Sequence, residues 1–429
     1  MFKQFGRNRW RWLSGTSAGW FAVSVALSFV ATSVVVTSCS DPLPMEAPGD
    51  LRDADVFDVI ADAVDGDVEV DATDAKDAQS DVAPGEPAIA PVVVGLYATP
   101  ALAVGASGVL VDGAEDGEMR MEAVLTSLAA GARGLVVEVE WEQLLSEEGW
   151  EPLTRLATFL ARERKQLLLS IPVVEARADR RPEALRSVAW SSVVIRARIH
   201  DLIDQVFGRL GSDVTYLSLG MEVDLFIDAK PSVASEFATA MAEGIAYACT
   251  HPKRTTKTLV GVTWSTKAWQ AQLGVERSLL TGVSDVVLLA HHGMEGTQQA
   301  QTVDAAVVQI REAIEAIEAF GGKPAVLHRV AGSSKGVGTT AADQAELVKQ
   351  VFAVVQEKRA RVPFVGVAAL HDPSPESCQA FAQARVPSTS SDASGLYAFW
   401  CSVGLRDAHG VPKDSFGAFL HGAATFLSP

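Results

Sequence analysis

The stretch Thr215-Tyr216-Leu217-Ser218-Leu219-Gly220-Met221-Glu222-Val223-Asp224 decides the reading of the fold. It opens as a nearly continuous apolar run of strand length and ends in acidic residues. A helical pattern, Val233–Ala248, follows it. A strand that is apolar on both faces and is followed by a helix belongs to a parallel sheet covered by helices. Working outward, seven more runs of this kind are found: Val92–Ala98, Leu135–Trp141, Gln166–Val174, Thr258–Trp264, Asp285–His291, Ala325–Val330 and Phe364–Leu370. Helical patterns lie between them, the clearest being Glu151–Arg164, Val193–Arg209, Ala305–Phe320 and Ala341–Lys358. Eight strand–helix units in residues 91–429 fit an α/β fold, the (β/α)8 TIM barrel. A doubly wound open sheet is the alternative. No Gly-x-Gly-x-x-Gly follows the first strand, so no dinucleotide site is indicated and no cofactor is expected.

In such barrels chemistry sits at the C-terminal ends of the strands. Seven of the eight ends here are polar: Glu138-Val139-Glu140-Trp141, Glu175, Glu222 with Asp224, Thr263-Trp264, His291-His292, His328-Arg329 and His371-Asp372. Polar residues gather wherever strands leave a core, which accounts for several of these but not for so many.

At the fourth strand the residues resemble a family. Gly220-Met221-Glu222 is similar to the Gly-Asn-Glu motif of clan-A retaining glycoside hydrolases. Trp141 with Trp150-Glu151-Pro152-Leu153, Lys323-Pro324-Ala325-Val326-Leu327, and Gly404-Leu405-Arg406-Asp407 with Gly410-Val411-Pro412-Lys413 resemble, in order, their strand-2, strand-7 and closing segments. The resemblance implies that Glu222 stands at the acid/base position. It also implies that Met221 replaces the Asn before it, and that Arg329 stands where the strand-7 nucleophile belongs. His291-His292 replaces the aromatic pair after strand 6.

Retaining hydrolysis needs two carboxylates about 5 Å apart, one to protonate the leaving oxygen and one to attack the anomeric carbon. A guanidinium is protonated at any working pH and cannot attack. Placed beside Glu222 it would lower the pKa that a general acid needs raised. The retaining mechanism is therefore expected to be lost. The expected function is carbohydrate binding, with Trp141, Trp264, Trp269 and Trp400 as stacking faces and with Glu175, Met221, His291, His292 and Asp372 around the sugar. Glu222 and Arg329 would pair with each other or bind polar ligand groups. Two other readings stay open. One is an active hydrolase in which Glu222 works with Asp372, Glu295 or Glu175 in an inverting geometry. The other is a scaffold for an envelope partner. A zinc set of His291 or His292, His328, His371 and Glu222 is weighed and set aside. Strand alternation should turn only one of His328 and Arg329 toward the axis.

The N-terminal segment carries a second resemblance. Lys3, Arg7, Arg9 and Arg11 precede an apolar run from Trp20 to Val36 that is diluted by Ser24, Ser28, Thr32 and Ser33. Such a run is too short and soft for a stable spanning helix and reads as a cleaved secretory signal, residues 1–38. Val36-Thr37-Ser38-Cys39 resembles a bacterial lipobox, which implies a mature chain lipid-anchored through Cys39. Ser40 after it implies passage to the outer membrane. Residues 41–90 hold fifteen acidic and two basic residues. With so little apolar bulk they are expected to form a disordered acidic tether, from 39 to 90, that self-repulsion extends. Of the net −17, this leaves −8 on residues 91–429. That is no basic stripe for phosphates, so nucleic acid is not an expected partner. Among Cys249, Cys378 and Cys401, the last two are expected to pair in an oxidising compartment, though sequence leaves the pairing open.

Overall fold

The structure, a computed structural model, describes residues 91–426 apart from 100–101, 105–109, 113–116, 271–273, 296–298, 368, 375–377 and 380–392. The expected signal, Cys39 and the tether lie outside the described residues. Eight parallel strands run β1 (Val93–Tyr97), β2 (Gly134–Glu138), β3 (Gln166–Ser170), β4 (Tyr216–Ser218), β5 (Leu259–Gly261 and Thr263–Ser265, interrupted at Val262), β6 (Val287–His291), β7 (Ala325–Val330) and β8 (Phe364–Val367). β8 pairs with β1 through Val93 and Phe364. The first half of β5 pairs with β4 and its second half with β6. The sheet thus closes on itself, and the open-sheet alternative falls.

Among the described residues a main helix follows each strand: α1 (Gly117–Ala129), α2 (Glu147–Arg162), α3 (Val193–Arg209), α4 (Ala234–Thr250), α5 (Val275–Val283), α6 (Val303–Gly321), α7 (Ala341–Glu357) and α8 (Asp414–Thr425). Their starts are written locally. The Ser192 hydroxyl accepts from the Val194 amide ahead of α3. Thr302 caps α6, and Thr340 with Asp343 forms a capping box on α7. These side chains satisfy amides that a helix start leaves without partners.

Continuous apolar strands arise because alternate residues feed two cores. Val92, Val94 and Leu96 face the helices, while Val93 and Tyr97 join Val136, Leu168, Tyr216, Leu288, Val326 and Phe364 on the barrel axis. Phe364 is fully buried there and meets Tyr216 edge-on, with centroids 5.3 Å apart. It fits because its neighbours are glycines. A Cβ on Gly95 would lie 2.2 Å from the Phe364 ring, and one on Gly134 2.8 Å.

Several strands stop before their expected ends, each where inward side chains turn polar. β2 stops at Glu138, and Trp141–Leu145 is a 3-10 helix. β3 stops at Ser170, and Val174–Glu175 forms a hairpin with Ala178–Asp179. β4 stops at Ser218, so Glu222 sits four residues beyond it, at the start of a short helix, Val223–Ala229. Cys378 and Cys401 form a disulfide, as expected, and lie in a small core of their own with Phe399 and Trp400. The Cys249 thiol lies 3.4 Å from an Asp285 carboxylate oxygen.

Candidate functional site at the C-terminal mouth of the barrel

The mouth is built from the last inward residues of the strands. On β7 a bulge changes the expected pattern. Leu289 of β6 pairs with Leu327 but the next residue, Ala290, pairs with Arg329, so β7 carries one extra residue. The β7–β8 pairing slips at the same place. A bulge breaks the two-residue alternation and re-aims side chains. Consequently both His328 and Arg329 reach Tyr97, the inward residue of β1. The His328 ring stacks with centroids 6.1 Å apart, and the Arg329 guanidinium lies 4.5 Å over the Tyr97 ring. The expectation that only one of the two turns inward is corrected.

Arg329 finds a carboxylate on β2. Its Nη2 donates to Glu138 Oε2 at 2.7 Å, from the end of that strand. Glu138 is thus an ion-pair partner that the sequence reading did not assign to Arg329. Burial pulls the guanidinium pKa down, but Tyr97, Glu138 and Glu175 outweigh this and leave it raised, so Arg329 stays charged. Burial raises the Tyr97 hydroxyl pKa, and Arg329 opposes that only in part.

Glu222 has a different neighbour. His292, at the end of β6, places Nε2 3.2 Å from its carboxylate, and both side chains are buried. Glu222 itself adopts a left-handed backbone, φ 50° and ψ 50°. Non-glycine residues pay roughly 1–2 kcal/mol for that conformation. Met221 lies next to it, its backbone bridged to Glu175. The Glu175 side chain accepts from Arg180 Nη2 at 2.6 Å, and Arg180 also approaches Glu140 at 3.7 Å. Asp224 is buried and accepts from the Ser265 amide and hydroxyl at 2.8 and 2.6 Å. Burial raises its pKa to about 6, against the pull of the Ser265 hydrogen bonds.

The remaining candidates are divided between the mouth and the scaffold. Trp400 joins the mouth: its ring meets His292 edge-on, with centroids 5.1 Å apart. Like Trp400 (3% exposed), Trp141 (3%) and Trp264 (1%) are buried, and Trp264 packs edge-on against Trp269. His291 bonds Thr266 through Nδ1 at 2.9 Å. Burial, then His292 and Lys267, lower its pKa to about 3. Asp372 is held by Lys413 at 2.6 Å and by the Gly404 amide at 2.8 Å, which fastens the closing segment to β8. His371 is tied to the Thr99 carbonyl at 2.7 Å. The three histidines His291, His328 and His371 are thus engaged separately. Among the described residues no three His, Cys, Asp or Glu side chains gather as metal ligands would. The side chain of Glu295 lies outside the described residues.

Sequence reading named Glu138 only as a polar strand end and passed over Tyr97 and Arg180. Glu138 was detectable by parity: Gly134, Val136 and Glu138 share the inward face of β2, and a buried Arg329 calls for a carboxylate.

The mouth thus gathers buried polar side chains: the Glu138–Arg329 and Glu175–Arg180 ion pairs and the Glu222–His292 contact.

No family model matches the sequence, and no curated protein matches it. Solved structures do. A GH5_18 glycoside hydrolase from Bifidobacterium longum, in complex with Manβ1-4GlcNAc, superposes with a TM-score of 0.59 at 14% identity, covering 79% of each chain. A GH5_18 enzyme from Streptomyces cattleya, in complex with GlcNAc, gives 0.59 at 12% identity, with 79% of this chain and 81% of that one covered. The exo-β-1,4-mannosidase of Opitutaceae bacterium strain TAV5 gives 0.57 at 14% identity, covering 78% of this chain and 59% of the other. At such identities the likeness concerns the backbone, and the chain has the (β/α)8-barrel fold found in these glycoside hydrolases.

Proposed function

We propose that this chain is a lipid-anchored envelope protein whose barrel mouth binds carbohydrate and does not carry out retaining hydrolysis. One observation carries the reading: Arg329, which the family resemblance sets at the strand-7 nucleophile position, is ion-paired at 2.7 Å to Glu138. Glycosidases of similar fold, at 12–14% identity, are seen in complex with Manβ1-4GlcNAc and GlcNAc, which supports a sugar ligand here. Binding ranks above hydrolysis by a substitute carboxylate because Glu175 and Asp372 are each engaged by a cation, Arg180 and Lys413. Membrane attachment rests on the lipobox-like Val36-Thr37-Ser38-Cys39. The envelope scaffold is a second reading, favoured by the burial of Trp141 and Trp264.

The test uses the full chain and its Glu222→Gln variant. Binding and turnover are measured on Manβ1-4GlcNAc, β-1,4-galactan and aryl β-glycosides. Saturable binding without product is expected. Turnover that Glu222→Gln abolishes would overturn the loss of catalysis, and absence of binding to every sugar would favour the scaffold. For the anchor, Cys39→Ala should move the protein out of the membrane fraction; unchanged fractionation refutes lipidation.

A further inference from the structure

Trp400 owes its place to unusual surroundings. It ends the helix Ala393–Trp400, and Cys401 follows it directly. Phe399, Trp400 and Cys378 form a buried cluster separate from the two barrel cores. Met294 and Ala300 of the hairpin after β6, Val337 of the loop after β7, and Val403 pack around it. Within it the Phe399 and Trp400 rings meet edge-on, 5.2 Å apart. From this cluster Trp400 reaches His292 at 5.1 Å, and His292 reaches Glu222 at 3.2 Å.

Two kinds of tie hold the helix down. Toward the β7 loop, Ser402 bonds Ser333 at 2.7 Å. On that side Gly336 also lies flush against the helix: a Cβ there would come within 2.5 Å of the Gly395 carbonyl. Toward the segment after β8, the covalent tie is the Cys378–Cys401 bridge, which closes a 23-residue separation. Cross-linking at this separation removes many arrangements of the intervening chain.

We propose that the Cys378–Cys401 disulfide is a positioning device: it seats Trp400 against His292, and through His292 holds Glu222, so that sugar binding at the mouth requires the oxidised bridge. The binding half of this inference rests on the carbohydrate reading; the positioning half does not. Reduction by a dithiol breaks the S–S bond, and two electrons and two protons yield the Cys378 and Cys401 thiols while the reagent becomes a disulfide. The charges of the mouth are unchanged, and only the seat of Trp400 loosens.

The experiment labels the full chain with 5-fluorotryptophan. The Trp400 resonance is assigned with Trp400→Phe. Oxidised, dithiol-reduced and Cys378→Ser/Cys401→Ser proteins are compared by 19F spectra, circular dichroism and titration with Manβ1-4GlcNAc. The expected result is a shifted or broadened Trp400 resonance on reduction, the other tryptophan resonances unchanged, intact circular dichroism, and affinity lowered tenfold or more, all restored on reoxidation. An unmoved Trp400 resonance overturns the inference, because the Ser333 and Gly336 ties would then suffice. Movement of every tryptophan resonance with loss of helix overturns it too, making the bridge a global staple. A Trp400-specific shift in a protein that binds no sugar in its oxidised form supports the positioning and refutes the carbohydrate reading instead.

Discussion

The Arg329–Glu138 pair is the feature whose perturbation says most. Removing one member of a buried ion pair costs about 3–5 kcal/mol, because the other charge is left uncompensated. The Glu138 side chain keeps 25% of its surface exposed, so water recovers part of that loss. Arg329→Met is therefore expected to lower the unfolding free energy by about 2–4 kcal/mol. Arg329→Glu should cost at least as much, since it adds a carboxylate beside Glu138 and within the field of Glu175. The two charges can instead be exchanged. In Glu138→Arg combined with Arg329→Glu the pair is rebuilt in reverse, and about 2 kcal/mol or more of the two single losses should return as coupling. Urea unfolding at pH 7 of the wild type, both singles and the double variant closes this cycle. Singles within about 0.5 kcal/mol of wild type, or a double no better than the sum of its singles, would refute the account of a committed pair. The exchange also places an arginine-held carboxylate on β7. A glycosyl adduct trapped on the double variant, and on neither single, is the chemical counterpart.

Glu222→Gly relieves the left-handed backbone and a buried carboxylate, so it should stabilise the fold by about 1–2 kcal/mol while abolishing sugar binding; destabilisation by thermal or urea unfolding counts against strain at this residue. Asp224 has a folded pKa near 6, above the ordinary carboxylate value. Its stabilising contribution is present below about pH 4 and lost as pH rises through about 6, worth about 2–3 kcal/mol; Asp224→Asn should flatten the stability profile between those limits, and an unchanged profile refutes the assignment. Gly95→Ala drives a methyl group into Phe364 and should cost about 1–3 kcal/mol or more, with Phe364→Leu recovering part of the loss in the same background.

The architecture was legible in the sequence because each strand–helix unit is encoded within its own segment. β7 and α3 ran as expected, from Ala325 to Val330 and from Val193 to Arg209. Strand ends were less legible. Glu140, Trp141 and Val174 are as strand-compatible as their neighbours, and only the point where the axis stops being apolar ends the pairing. The glycines at 95 and 134 read as ordinary sequence noise until Phe364 is seen between them.

Within the site, sequence alone determined that Arg329 on β7 cannot itself attack a sugar, whatever surrounds it. It also determined the acidic, lipobox-like N-terminal character and the late pair of cysteines. Tertiary structure decided who meets whom. Arg329 meets Glu138 across the mouth, beside a one-residue bulge on β7. Glu222 meets His292, and Trp400 packs edge-on against that histidine. Those partnerships depend on parity, shear and closure around the barrel, quantities set by the pairing of strands far apart in the chain, which no local pattern records.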